Sequence, residues 1–218
     1  MCGRFTQSAL ERYAEYFSAS AGVLSRPNYN VTPSQQIVVC RRSEIGWREL
    51  SLLRWGLVPH WSKDPRTGYN MANARSETVA DKPAYRDAFK KRRCLIPTDG
   101  FYEWKPGKPR KQPYFIHRKD GAPFALAGVW EHWELEDLKI DSCTIIVTQA
   151  NKLITPIHDR MPVILAQADF DRWLDPAQAK EDLLSLLKPY SENELEAYPV
   201  GLAVNKPTNN DPELIKRV

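Results

Sequence analysis

The second half of the chain is a succession of short apolar segments separated by turn residues, and this pattern limits the possible fold more than any other feature. Several segments after residue 93 have strand length and are rich in β-branched and aromatic residues; they span 94–97, 100–104, 113–118, 124–133, 142–148 and 161–165. Turn residues such as Pro106-Gly107 and Asp120-Gly121 separate several of them. Short strands joined by tight turns pair antiparallel with their neighbours. The pattern therefore predicts a mainly antiparallel, barrel-like sheet.

Helical and extended segments elsewhere complete the predicted fold. We expect helices over 8–17 (with Ser8 as the N-cap), 81–91, 169–173 and 177–187, strands over 37–40, 50–55 and 198–204, and a loop over 59–72. No internal repeat or shift in composition marks a domain boundary. We therefore expect an α+β fold in which residues 1–218 form a single domain with a few peripheral helices.

Composition limits the compartment and the partners. No apolar signal segment follows Met1, and no run approaches the roughly 18 apolar residues of a membrane-spanning helix. We therefore expect a cytoplasmic protein with no membrane partner, whose four cysteines are reduced. No C-x-x-C pair and no organic cofactor motif occur, so neither a metal nor a cofactor is predicted. The net charge of +4 permits a nucleic-acid partner without requiring one.

Cys2 is the first candidate for chemistry, because removal of Met1 would leave it at the amino terminus. An α-amine has a pKa of about 7.7–8.0, so roughly a quarter of such amines are neutral at pH 7.4. A neutral amine can attack an aldehyde to form a Schiff base, and the neighbouring thiol can then close a five-membered thiazolidine ring. Alternatively, the amine could activate the thiol, as in N-terminal nucleophile hydrolases. A third interpretation is that Cys2 is merely a small residue near a terminus.

Two titratable residues, His158 and Glu103, could assist such chemistry. His158 stands beside Asp159, just before the apolar run 163–165; histidine transfers protons near neutral pH, although a histidine in isolation is as often a surface or core residue. Glu103 lies in a predicted strand with aromatic residues on both faces. Partial burial there would raise the carboxyl pKa and suit it to acid–base work. The alternative is an edge-strand glutamate paired with a lysine or arginine.

Polar and basic residues suggest a binding surface. Asn73 and Arg75 follow the 59–72 loop and could hydrogen-bond a substrate or a phosphate, although 76–78 could equally be a turn or helix cap. Basic runs usually form solvated surfaces, but cations interleaved with exposed aromatic rings also suit single-stranded nucleic acid. The residues concerned are Arg4, Arg75, the runs 90–93 and 105–111 (KPGKPRK), and Trp55, Trp61, Tyr69 and Trp104.

Six motifs in a fixed order carry a resemblance to a known family. They are Met-Cys-Gly-Arg-Phe at 1–5, Trp-Gly-Leu-Val-Pro at 55–59 with Trp61, Asn-Ala-Arg-Ser-Glu-Thr at 73–78, Arg-Cys-Leu-Ile-Pro at 93–97, Asp-Gly-Phe-Tyr-Glu-Trp at 99–104 and His-Asp-Arg-Met-Pro at 158–162. Together they strongly resemble the SOS response-associated peptidase (SRAP) family, the abasic-site processing proteins. The resemblance extends from Cys2 to the region of Asn205 and Asn209.

The resemblance implies a cofactor-free SRAP domain, which we expect to be a monomer, that binds single-stranded DNA and crosslinks to abasic sites in the DNA damage response. Its implied mechanism is attack by the mature Cys2 amine on the ring-opened sugar aldehyde, followed by thiazolidine closure. An imine not captured by the thiol would allow weak lyase activity. The implied catalytic residues are Cys2, Asn73, Glu103 and His158, and the implied DNA-binding residues are Arg4, Trp61, Arg75 and Thr148. The protein would be nucleoid-associated when acting on DNA.

Two other functions stay open. Met-Cys-Gly also begins glutamine amidotransferases of the N-terminal-cysteine type, so Cys2 could attack an amide with Asn73 near the oxyanion. Self-removal of Met1 would be a limited form of this hydrolase activity. A non-covalent module for single-stranded DNA would instead bind intact and abasic strands equally, with strong salt sensitivity.

Overall fold

Two β-sheets form the framework of the described part of the chain, which in this computed structural model is residues 2–20, 22–23 and 25–218. The strands are β1 (Arg4–Gln7), β2 (Asn28–Val31), β3 (Gln36–Arg42), β4 (Arg48–Trp55), β5 (Asn73–Arg75), β6 (Arg93–Thr98), β7 (Gly100–Lys105), β8 (Gln112–Arg118), β9 (Phe124–Leu135), β10 (Leu138–Gln149), β11 (Arg160–Pro162), β12 (Ile164–Leu165) and β13 (Leu195–Pro199). The α-helices are α1 (Leu10–Tyr16), α2 (Arg86–Lys91), α3 (Phe170–Leu174) and α4 (Lys180–Ser185).

The larger sheet closes on itself as a five-stranded barrel. The strands β4, β3, β6, β9 and β10 pair in that order, and β10 pairs back onto β4. Only the closing pair among these is parallel, with Ser142 opposite Arg54 and Cys143 opposite Trp55. Because closure leaves the ring without free edges, its backbone groups are satisfied internally. The predicted α+β class with a mainly antiparallel, barrel-like core is confirmed, as a mixed α/β single domain.

The smaller sheet brings the start of the chain into the core. Its strand order is β13-β8-β7-β1-β2, and its pairings are antiparallel. Strand β1 lies between β2 and β7, with Arg4 opposite Tyr102 and Phe5 opposite Phe101. The residues just before β1 are therefore placed beside the middle of β7.

Alternating side chains divide the core into two main clusters. In β3, Ile37 and Val39 pack with side chains of the smaller sheet, whereas Val38 and Cys40 pack with those of the helices. The period of two follows from the pleat, which sends successive side chains to opposite faces of a strand. One set of barrel side chains therefore packs together with residues of the smaller sheet, and the other set packs with the helices.

Several predicted segments differ from the structure. Residues 198–204 are not one strand: β13 ends at Pro199, and Leu202–Asn205 form a 3-10 helix. The helix predicted over 81–91 begins only at Arg86, after a series of turns. Ser8 does not cap α1, because its hydroxyl donates to Asp99 Oδ2 (2.8 Å) and Ala9 occupies the N-cap without a side-chain bond. Strands β1 and β2, which have only four residues each, were not predicted.

The 59–72 loop is fixed where it leaves and re-enters the barrel by two glycines in close contact. Gly56 has a φ of 125°, a left-handed value that favours glycine, and a Cβ there would lie 2.4 Å from the carbonyl oxygen of Gly68. The loop itself includes a 3-10 helix over Pro65–Asn70. We expect Gly56→Ala to lower the free energy of unfolding by more than about 2 kcal/mol, from backbone strain and steric overlap.

Urea denaturation measures this loss, with Gly22→Ala as the matched control. A Cβ at Gly22 meets nothing within 4 Å, so its substitution should change stability by less than about 0.5 kcal/mol. Equal stability of the two variants would contradict the role assigned to the Gly56–Gly68 contact.

Candidate active site around Cys2

Cys2 lies two residues before β1 and is completely buried. Its carbonyl oxygen accepts a hydrogen bond from Asn73 Nδ2 at 2.8 Å. Continuing the β1–β7 register by one residue on each strand sets Gly3 opposite Glu103, so Cys2 is next to that carboxyl. Two of the predicted site residues thus meet Cys2 through strand pairing and one directed hydrogen bond. Met1, whose removal the sequence analysis invokes, lies outside the described residues.

Asn73 is positioned by β5, a three-residue strand that runs parallel to the middle of β10, with Asn73 opposite Ile145. Its Nδ2 donates a hydrogen bond to Cys2 O, whereas its Oδ1 is buried without a hydrogen-bond partner in the described part of the chain. A buried acceptor of this kind is costly unless something donates to it. Asn73 can therefore hold Cys2 and still accept a hydrogen bond from a group on a substrate.

Glu103 is 3% exposed, in the middle of the smaller sheet. Strand β7 lies between β1 and β8, so the edge-strand alternative for Glu103 is wrong. Burial raises the pKa of its carboxyl to about 7, and the nearby charge of Asp159 acts in the same direction. A carboxyl with this pKa exchanges a proton readily at neutral pH, as the sequence analysis expected for a buried Glu103.

His158 lies in the turn that precedes β11 and is about one quarter exposed at its side chain. Its Nδ1 accepts a hydrogen bond from the backbone N–H of Arg160 (2.9 Å) and lies 2.9 Å from Asp159 Oδ1. Burial lowers the pKa of the imidazole, while Asp159 opposes that shift. Because the same Asp159 carboxylate acts on Glu103, the 158–159 turn lies close to the buried carboxyl.

The thiol of Cys2 is held in its protonated form. Burial raises its pKa, and the negative charge of Glu103 adds to the effect. Activated cysteine nucleophiles show the opposite behaviour, since a neighbouring cation or a helix N-terminus lowers their pKa. The site therefore contains a neutral thiol beside a carboxyl that is partly ionised at pH 7.

The predicted DNA-binding residues differ in exposure. Trp61 is 57% exposed on its loop, and Arg75 is exposed at the end of β5. Thr148 is buried, with its hydroxyl donating to Leu187 O at 3.4 Å, and it lines a cleft of about 320 Å³ with Ser76 and Gln149.

Arg4 is half-buried, and its Nη1 donates to the oxygens of Asn30 (Oδ1) and Val204 (main chain), both at 2.7 Å.

Two parts of the predicted basic and aromatic surface are interior. Trp55 is fully buried and donates from Nε1 to Ala72 O, so it cannot stack on a ligand at the surface. Arg93 is also buried, and its guanidinium donates to the carbonyl oxygens of Phe89, Lys90, Trp173 and Asp175. Burial lowers the pKa of Arg93 to about 10. The 90–93 run is therefore not a continuous cationic surface.

Three residues near the site have roles in the structure that were not predicted from the sequence. Asp159 acts electrostatically on both Glu103 and His158, and Lys111 contributes to the lowered pKa of His158 after burial and other charges. Asn30 joins Arg4 to the C-terminal segment by donating to Val204, Lys206 and Asn209 carbonyl oxygens. The position of Asp159 beside His158 was a signal for its role, but nothing in the sequence links Asn30 to residue 204.

Comparison with known proteins identifies the family. The profile of the family "SOS response associated peptidase (SRAP)" matches residues 1–207. The abasic site processing protein YoqW of Bacillus subtilis is 45% identical over 223 residues, covering 99% of each chain. The abasic site processing protein HMCES of Xenopus tropicalis is 32% identical, covering 88% of this chain and 67% of the relative. A crystal structure of a Bacteroides thetaiotaomicron protein superposes with a TM-score of 0.89 at 29% identity, covering both chains completely.

The chain therefore belongs to the SRAP family, and the resemblance based on its motifs is confirmed. In the described residues, no group of three or more histidine, cysteine or acidic side chains could hold a metal ion. No helix over the same residues is long and apolar enough to span a membrane. All four cysteines are buried and unbridged.

The raised pKa of Glu103 predicts a specific dependence of stability on pH. Its ordinary value of 4.5 rises to about 7 in the fold, so between these pH values the folded state holds the proton more tightly. The contribution of Glu103 to the free energy of unfolding should therefore decrease as pH rises from about 4.5 to 7 and level off above that. Glu103→Gln removes this contribution, so its stability relative to wild type should increase across the same interval.

Urea unfolding of both proteins from pH 4.5 to pH 8 measures the difference. Glu77→Gln is a suitable control, because the pKa of Glu77 is lowered: burial opposes this shift, but hydrogen bonds from the backbone and from Arg160 outweigh it. Its stability relative to wild type should not increase over that interval. If the free energies of unfolding of wild type and Glu103→Gln differ by the same amount at every pH in this range, Glu103 does not titrate as described.

Proposed function

We propose that this protein processes abasic sites in single-stranded DNA by forming a thiazolidine crosslink between Cys2 and the sugar aldehyde. The observation that carries the proposal is the arrangement of a buried, neutral Cys2 thiol beside the Glu103 carboxyl, with Asn73 holding the Cys2 carbonyl oxygen at 2.8 Å. The curated relatives at 45% and 32% identity are named abasic site processing proteins, which supports the same substrate.

The first step is Schiff-base formation. Removal of Met1 leaves Cys2 with a free α-amine, which attacks C1′ of the ring-opened sugar to give a carbinolamine. Loss of one water from the carbinolamine forms the imine, and this step needs a proton donor at the departing hydroxyl. Glu103, with a pKa of about 7, is half protonated at neutral pH and can supply that proton. His158 is a second group that can exchange protons at neutral pH.

The second step is ring closure. The Cys2 sulfur adds to the imine carbon, the thiol proton leaves to a base, and the nitrogen gains a proton, so the complete reaction releases one water. Ionised Glu103 is adjacent to the thiol and can accept its proton. The ring has five members, so closure benefits from the high effective molarity of an intramolecular reaction. Capture of the imine also prevents β-elimination, which would otherwise cleave the strand.

The electrostatics favour crosslinking over the hydrolase alternative. A cysteine hydrolase attacks an amide through a thiolate, and its site lowers the thiol pKa. Here burial and Glu103 raise the pKa of Cys2. An aldehyde is attacked first by the amine, so the reaction does not require a pre-formed thiolate. Self-removal of Met1 is a single turnover within the chain and stays compatible with this site.

The DNA strand is proposed to cross the surface marked by Trp61, Arg75 and the Thr148 cleft. Exposed aromatic rings stack on bases, and exposed guanidinium groups bind phosphates. Trp61 is well exposed, and Arg75 makes no ion pair within the described residues. Arg4 contributes differently, since its hydrogen bonds to Asn30 and Val204 orient β1 and hence Cys2.

Replacing the thiol separates the two steps. We expect Cys2→Ala, after Met1 removal, to form only a reversible imine with an abasic strand, because the amine is kept and the sulfur is lost. The denaturation-resistant adduct should fall at least about 100-fold, and strand cleavage should rise. Intact mass spectrometry measures both Met1 removal and the adduct mass, and borohydride trapping detects the imine.

Cys40→Ala provides the matched control, since Cys40 is a buried thiol in the helix-facing cluster. It should crosslink as wild type does. A wild-type protein that lacks Met1 and yet gives no adduct with abasic DNA would rule out the proposed function. Turnover of a glutamine amide or a peptide without DNA would support the hydrolase instead.

A further inference from the structure

The loop between β7 and β8 is a concentrated, exposed positive patch. We call residues 105–111 the basic loop; its cations are Lys105, Lys108, Arg110 and Lys111, and all four are exposed. No acidic residue occurs between Glu103 and Asp120, so the patch contains no negative charge of its own. The loop thus has four positive charges in seven residues of a chain whose net charge is +4.

These cations are not neutralised by the protein. None of the four forms an ion pair with any residue that the structure describes, whereas many cations elsewhere do, including Arg118 with Asp120 and Lys180 with Asp81. Clustered like charges repel each other and weakly destabilise the fold. A polyanion that lies across the loop would remove this repulsion and release counterions on binding.

The basic loop flanks the candidate active site. Strand β7 carries Glu103, and Lys105 follows only two residues later. At the other end of the loop, the Lys111 ammonium is close enough to His158 to disfavour protonation of its imidazole. A phosphate held by the loop would therefore lie beside the candidate active site.

The loop is attached to a fixed base. Lys105 pairs with Gln112 at the end of the β7–β8 ladder, and Gln112 Nε2 donates to Val200 O at 2.8 Å. Trp104 donates from Nε1 to Asn205 Oδ1 at 2.7 Å. Within the loop, Pro106 and Pro109 restrict two φ angles, which reduces the entropy lost when the cations are immobilised on a ligand.

From these observations we propose that the basic loop binds the phosphodiester backbone of the single strand beside the lesion, as a phosphate contact separate from the Trp61–Arg75 surface. The position relative to the lesion rests on the proposed function, but phosphate binding by the loop does not. Its contribution is electrostatic and independent of base sequence. It should govern the encounter with DNA and leave the covalent steps unchanged.

A matched pair of variants tests the proposal. The first is K105Q/K108Q/R110Q/K111Q, and the control is K82Q/K90Q/K91Q/K180Q, which removes the same charge from exposed lysines on the helical side of the fold. Binding to an intact single-stranded oligonucleotide is measured from about 50 to 500 mM salt. Each phosphate contact on a single strand contributes about 0.7 to the slope of log K against log salt.

We expect the loop variant to bind at least about tenfold more weakly than the control at 50 mM salt, with a slope smaller by about 2. A K108Q/R110Q double variant should show about half of that slope change. Because it keeps Lys111, which acts on His158, its crosslinking rate at saturating abasic strand should equal that of wild type. Equal slopes for the two quadruple variants would overturn the proposal, and so would a loss of saturated crosslinking with an unchanged slope, which indicates a structural role.

The oligonucleotide experiment also separates this proposal from the proposed function. If wild-type protein fails to crosslink the abasic strand while the loop variant still loses salt-dependent binding, the crosslinking function is wrong and the phosphate contact stands. If crosslinking occurs and the slopes do not differ, the function stands and the basic loop has no part in it.

Discussion

The pairing of β1 with β7 is the constraint on which the candidate site depends. A four-residue strand at the start of a chain would fray if only its own ladder held it. Here Gln7 fixes it from within: its Nε2 donates to Val38 O and Pro97 O, and its Oε1 accepts from the Val38 N–H. Phe5 is also completely buried and Arg4 donates to Val204 O, so side chains as well as the ladder hold β1 in place. Cys2 therefore lies at one defined position beside Glu103.

Burial of Cys2 and Glu103 has two opposing effects on the reactivity of the thiol. It keeps the Cys2 thiol protonated, which makes the sulfur a weak nucleophile. It also brings the Glu103 pKa to about 7, which makes the adjacent carboxyl an effective proton acceptor at neutral pH. In the proposed mechanism, the thiol becomes reactive only when Glu103 is ionised and an electrophile is present. This order suits capture of an imine already formed by the amine, and it protects the thiol from unrelated reactions beforehand.

Local sequence pattern predicted those parts of the fold and site that depend on neighbouring residues. The alternation of Phe101 and Tyr102 between two clusters, and the burial of Glu103 on the same face as Phe101, follow from the period of two. Pairing over long distances in the chain could not be predicted in this way. Asn73 reaches Cys2 across 71 residues, from a strand that runs parallel to β10, whereas its local sequence marked it only as a possible contact for a substrate or phosphate. Trp55 was misplaced at the surface because its burial depends on barrel closure.

The distribution of cations gives the small net charge a physical meaning. Arg93 and Arg4 donate hydrogen bonds to carbonyl oxygens inside the protein, and many surface cations form ion pairs with carboxylates. Such charges are largely cancelled at a distance in physiological salt. The cations of the basic loop and Arg75 are exposed and have no ion pair in the described part of the chain, so their charge stays available to an approaching strand. In the proposed function, salt controls this encounter, whereas the thiazolidine bond would hold the strand by a free energy that ionic strength does not screen. On that proposal a small net charge is enough to find the lesion, because the covalent bond retains the strand.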